Sequence, residues 1–155
     1  MSAGEDEIQR LWEQFLEVYY TPESLPRARQ LAELLAAALG PYTPEHLEKS
    51  HVHPWILVWE ARGNLQEAIR LAERDIARKR AEIEAGDFAL YPQLLLNAAE
   101  YLRDSLTFQA ERYLKVGDKA KARDCLREVS VLCERYGVEP DEDVQALFQQ
   151  LKHVP

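Results

Sequence analysis

Apolar residues recur along this chain every three to four positions, and no window alternates apolar with polar, so the pattern predicts helices throughout and no sheet. The first helix is expected from Glu5, with Ser2 and Glu5 at capping-box spacing, residues 1–4 flexible, and a stripe of Ile8, Leu11, Trp12, Phe15, Leu16 and Tyr19. Thr21–Ser24 breaks it and offers Ser24 as the next N-cap. The second helix then carries Leu25, Ala28, Leu31, Ala32, Leu35 and Leu39 up to Gly40-Pro41. Thr43-Pro44 opens a third segment. Because an interior proline removes a hydrogen bond, a short helix to about Val52 is expected, with a kink or restart at His53-Pro54 and helix through Ala61.

Gly63-Asn64 reads as a tight turn, with Asn64 and Glu67 again at capping-box spacing. The fourth helix runs from there to about Ala85 on Leu65, Ala68, Ile69, Ala72, Ile76 and Ile83. Pro92 starts the fifth, which shows two adjacent apolar stripes. Leu95, Ala99, Leu102, Leu106, Ala110 and Tyr113 form one, and Leu94, Ala98, Tyr101 and Phe108 the other. A helix apolar over that width is expected to be packed on more than one side, which makes it the central element. The sixth helix follows Gly117-Asp118, facing inward with Ala122, Cys125, Leu126, Val129, Cys133 and Tyr136, and Gly137 is its expected C-cap. Pro140-Asp141 starts a short capping helix over 141–153 with Val144, Leu147, Phe148 and Leu151. The expectation is one all-α domain over 1–155, built from antiparallel helix hairpins, about seven helices in all.

One hairpin carries a recurrent pattern: Ala110-x-x-Tyr113, then Gly117-Asp118, then Ala122 and Leu126. Small residues there let helix axes approach while bulky ones fill the space between them. The pattern resembles the tetratricopeptide repeat. A weaker copy runs through Trp59, Gly63-Asn64, Ala68 and Ile69, departing at Ile56 and Ala72, and a degenerate echo through Leu16, Tyr19, Ala28 and Ala32. The copies recur at longer, irregular intervals than the family's repeat of about 34 residues. The resemblance therefore implies an architecture, hairpins stacked in a right-handed superhelix, more than strict membership. Further on, Tyr136-Gly137-Val138-Glu139-Pro140 followed by Val144-x-x-Leu147-Phe148-x-x-Leu151 is similar to the end of the bacterial transcriptional activation domain of antibiotic regulatory proteins, over roughly 101–151. That family carries a basic winged-helix domain upstream. Here the corresponding stretch holds only acidic helices, so direct DNA binding is not implied.

Charge narrows the partners. The net charge is -8 with a pI near 5.1, and 19 basic residues are diluted among 27 acidic ones, which disfavours a phosphate-binding surface and favours basic partners. No start resembles a signal peptide and no apolar run reaches about 20 residues, so neither secretion nor a membrane span is expected, and the cytoplasm is the simplest compartment. Cys125 and Cys133 lie eight residues apart on one helix, ~12 Å along its axis at about 1.5 Å per residue. That is too far for a mutual disulfide, and both read as small buried hydrophobes.

His46, His51 and His53 cluster without a cysteine nearby, and His51 and His53 point to different sides of a helix, so no metal site is expected. Trp55 and Trp59, one turn apart, suit a core, or with Tyr91 a small-molecule pocket. Arg70, Arg74 and Arg78 form a like-charge stripe that Asp75–Lys79, Glu82–Arg78 and Glu84–Arg80 pairs would partly neutralise. On the fifth helix Gln93, Asn97, Glu100, Asp104, Thr107 and Glu111 make a continuous polar strip. In its bland reading the strip is a solvated face that pairs ionically with the arginine stripe. The tetratricopeptide resemblance instead implies that such a strip lines the concave groove and grips a ligand. A carboxylate clamp would need lysines and asparagines, and Asn97 alone matches. No glycine-rich phosphate loop, nucleophile elbow or paired histidine–carboxylate spacing is present, so neither catalysis nor a cofactor is expected. The leading expectation is a module binding a protein or peptide through that strip, as a regulatory or docking part. The alternatives are a self-associating homodimer and a small-molecule sensor around Trp55 and Trp59.

Overall fold

A computed structural model describes residues 4–18, 25–41, 52–140 and 142–152. Among these residues every regular element is helical. The described residues form seven helices: α1 (Glu5–Val18), α2 (Leu25–Leu39), α3 (Val52–Ala61), α4 (Leu65–Glu84), α5 (Pro92–Lys115), α6 (Lys119–Tyr136) and α7 (Glu142–Lys152). The all-α class and the helix number match the periodicity. None of these helices is long and apolar enough to cross a membrane. The expected start at Thr43-Pro44, the Ser24 cap, Tyr19, His46 and His51 lie outside the described residues. The chain divides into two compact units, 1–71 and 72–155.

In the first unit α2 packs against α1 and α3. Ala28 and Ala32 on α2 have no exposed surface, and they sit among Leu11, Trp12, Phe15, Leu31, Leu35 and Leu39. Small side chains there let the axes approach, and the aromatic rings fill what remains. Trp12 lies 5.9 Å from Phe15 and 5.8 Å from Trp55, both at tilted angles that suit aromatic quadrupoles. Pro54 is buried within the first turn of α3. First-turn N–H groups have no helical acceptor, so proline costs little there, and the described helix begins at Val52, beside the kink or restart expected at His53-Pro54.

In the second unit α5 and α6 form the tightest hairpin, and α7 packs on both. Ala99, Ala110, Ala122, Leu126 and Val129 are completely buried along it. Its turn depends on Gly117 at φ 83°, a left-handed conformation that disfavours a side chain. The Asp118 N–H donates 2.8 Å to the Tyr113 carbonyl, and the Asp118 carboxylate caps α6 by accepting from the Lys121 N–H at 3.1 Å. The Gly63-Asn64 turn repeats this arrangement: the Asn64 N–H donates to the Trp59 carbonyl and the Asn64 Oδ1 accepts from the Glu67 N–H at 3.2 Å. This is half of the expected capping box. With the Asn64 N–H already taken, the Glu67 carboxylate pairs instead with Arg70 at 2.7 Å. Gly137 ends α6 at φ 70°, and the next N–H, from buried Val138, donates 3.1 Å to the Cys133 carbonyl.

Two expectations change. The second stripe of α5 is not packed throughout, because Leu94 and Tyr101 are exposed and only Ala98 and Phe108 are partly covered. The pairs that neutralise the arginine stripe differ in part from those expected. Lys79 does pair with Asp75 at 2.8 Å, but Arg78 also turns to Asp75 at 2.8 Å, and Arg80 reaches across to Glu128 on α6. Asp75 is buried, and two cations hold it better than one.

Candidate functional site

The polar strip of α5 survives as a face with one exception. Gln93 is exposed, Asn97, Glu100, Asp104 and Glu111 are half-buried, and Gln93 donates 3.1 Å to Asn97 along the strip. Thr107 does not belong to it: it is 4% exposed, and its hydroxyl donates 2.9 Å to the Arg103 carbonyl of its own helix. Asp104 accepts from Arg103 Nε at 3.0 Å, and Arg103 Nη1 also donates 2.7 Å to the Glu139 carbonyl. One arginine thereby ties the strip to the connection between α6 and α7.

Periodicity gave no warning of how far the apolar ground beside the strip lies open. Leu90, Tyr91, Leu94 and Tyr101 are 86%, 58%, 49% and 62% exposed, and Leu95 and Leu96 are only half-buried. For Leu94, Leu95 and Leu96 the cause is a mismatch of length. α5 has 24 residues and α6 has 18, and the tight Gly117 turn pairs them from the α5 C-terminal end. The first turns of α5 therefore project roughly 9 Å past α6 at about 1.5 Å per residue. Comparing the two helix lengths in the sequence would have found it.

On another side of α5, the second unit holds two open clefts of about 260 and 280 Å³ that share Arg80 and Glu128 as a common wall. The Arg80 fork donates to Glu128 through Nε at 2.8 Å and Nη2 at 2.6 Å, which raises the arginine further above its ordinary range. In the first cleft the Tyr113 hydroxyl donates to the Glu73 carboxylate, Lys121 lies 5.6 Å over the Tyr113 ring, and Cys125 lines the wall. Burial pushes the Cys125 thiol up to about 12, aided by Glu128 and Asp124. Burial, then the bond to Glu73, raises the Tyr113 hydroxyl well above its ordinary 10.0. Both groups stay protonated at neutral pH.

These two acids set an alkaline limit on stability. Each has a folded pKa above its unfolded one, so the folded chain keeps a proton that the unfolded chain sheds. The stabilisation is complete below pH 9 and is lost as pH climbs from 9.0 toward 12 for Cys125, and from 10.0 upward for Tyr113. The melting temperature of the wild type is expected to fall more steeply between pH 9 and 11 than that of Cys125→Ala. Parallel profiles for the two proteins would exclude this.

The tryptophan pair divides. Trp55 is completely buried in the first unit's core, Trp59 is half-buried, and the Arg62 guanidinium lies 5.5 and 4.7 Å from their ring centres. Both indole N–H groups are buried, with no acceptor among the described residues. Tyr91 belongs to the second unit and is exposed.

The chain matches no family model, no curated protein and no solved structure. Its functional reading therefore rests on its own surface and on the repeat pattern.

Proposed function

We propose that this chain is a protein-interaction module that binds a protein or peptide partner along the outward face of α5. One observation carries the reading. The longest of the described helices carries a partly exposed polar strip, Gln93, Asn97, Glu100, Asp104 and Glu111, beside the exposed side chains of Leu94 and Tyr101. A contiguous apolar patch rimmed by polar groups is the surface that partners use. The tetratricopeptide-like hairpin pattern supports the same role, and a regulatory or docking function fits it.

Self-association through the terminal helices is less favoured, because Leu11, Phe15 and Leu147 are buried and Ile8 and Phe148 are half-buried. A small-molecule site at Trp55 loses support from the packing of its ring in the core.

The test is affinity capture with wild type beside Asn97→Lys/Glu100→Lys, each first shown to be folded by circular dichroism. A partner retained by the wild type and reduced at least tenfold by the double variant is expected. Equal retention would remove the α5 face from the reading.

A further inference from the structure

The two clefts of the second unit are halves of one groove. On α4, Glu73 and Ile76 line the first cleft and Ile83 and Glu84 the second, with Arg80 between them and common to both. On α6, Asp124 and Cys125 line the first and Val131 and Leu132 the second, with Glu128 between them and common to both. On α5, Leu106 and Tyr113 belong to the first and Leu102 to the second. All three helices therefore set the clefts end to end in the same order. From Lys121 to Tyr136 the groove runs ~22 Å along α6, at about 1.5 Å per residue.

Its apolar floor continues past the divide. Leu102 and Leu106 stand one turn apart on α5, one in each cleft, and both are buried, as are Ile76 and Ile83 on α4. What separates the halves is a bar of two side chains, Arg80 reaching from α4 to Glu128 on α6 through bonds of 2.8 and 2.6 Å. These side chains keep 41% and 32% of their surface exposed. An ion pair so open to solvent adds little stability, because water and salt compete for both partners. Breaking it leaves two hydrated charges and strands neither in the interior, so the bar lifts at low cost. The clefts hold about 260 and 280 Å³. Each falls just short of the roughly 300 Å³ at which ligand pockets begin, and joined they exceed it.

We propose that the Arg80–Glu128 pair is a releasable crossbar: bonded, it divides one groove into two small clefts, and released, it joins them and bares Cys125. That thiol is a built-in reporter. Cys125 is half-buried in the first cleft, three residues before Glu128 and so on the same face of α6. Cys133, half-buried on the same helix, lines neither cleft and serves as the internal control.

The test is alkylation of the full chain by uncharged N-ethylmaleimide at mildly alkaline pH. Trypsin cuts between the two cysteines at Arg127, so mass spectrometry reads each site separately. Wild type is compared with Arg80→Gln and Arg80→Lys, each first shown to be folded by circular dichroism. Charge and access act in opposite directions in the glutamine variant. Arg80 pulls the Cys125 pKa down against the acids that raise it, so its removal leaves less thiolate and, on charge alone, slower alkylation. Release of the crossbar gives the reverse, Cys125 at least threefold faster with Cys133 unchanged. Arg80→Lys keeps the charge without the fork, is expected to accelerate Cys125 to a smaller degree, and decides the question should the glutamine variant not fold. Equal or slower alkylation of Cys125 in the deciding variant overturns the proposal. So does equal acceleration of both cysteines, which would mean that α6 loosens as a whole.

Discussion

Trp55→Ala is expected to cost the first unit about 3–5 kcal/mol, the range for truncating a large aromatic residue in a core. The ring is completely buried, lies 5.8 Å from Trp12 and is covered by Arg62. Removing it strips apolar surface from two helices and leaves a cavity that the surrounding side chains fill only in part. It also uncovers the face on which the guanidinium rests. Urea denaturation, followed by far-ultraviolet circular dichroism, reads the loss directly, and a change below about 1 kcal/mol would show that the site collapses or that the ring is not core. Trp55→Phe makes the informative companion. The Trp55 indole N–H is buried with no acceptor among the described residues, and such a group carries a desolvation cost of about 1–3 kcal/mol. Phenylalanine keeps most of the ring and discards that donor, so it is expected to be far milder than alanine.

Leu126→Ala is the corresponding change in the second unit, with an expected loss of about 2–5 kcal/mol. Leu126 has no exposed surface and sits on α6 one turn beyond Ala122, where small residues have already brought α5 and α6 close. Tight hairpins cannot shift inward to fill a deletion, so the upper part of the range is expected. A melting temperature within about 2 °C of wild type would contradict this packing.

Helix positions were legible because their punctuation is local. Gly117, Gly137 and Pro92 each impose a backbone conformation or remove a donor within one turn, and the helices begin and end at them. The buried stripe of α5 was legible for the same reason, since Leu102, Leu106 and Ala110 share one side at a fixed period. What the pattern could not settle depends on lengths and on reach between helices. Leu94 has core-like spacing yet stands in water where α5 outruns α6, and Tyr101, within the reach of α6, has the same spacing and is exposed too. Thr107 has strip-like spacing, but a hydroxyl can satisfy itself on its own helix, as this one does. The spacing pairs Arg80 with Glu84, one turn away, whereas its long side chain reaches Glu128 on α6 through two hydrogen bonds. Its consequence is the shared wall of the two clefts, a feature visible only once α4 and α6 are placed.

All three tryptophans of this chain, Trp12, Trp55 and Trp59, fall within residues 1–71, and residues 72–155 contain none. Nature has in effect labelled one half. Indole emission reports the melting of the first unit alone, while backbone ellipticity sums over both. Superimposable curves from the two signals would mean that the chain melts as one cooperative body, and separated curves that it melts in two steps. The distribution of a single residue type thus turns an ordinary unfolding experiment into a measurement of how many cooperative parts this chain has.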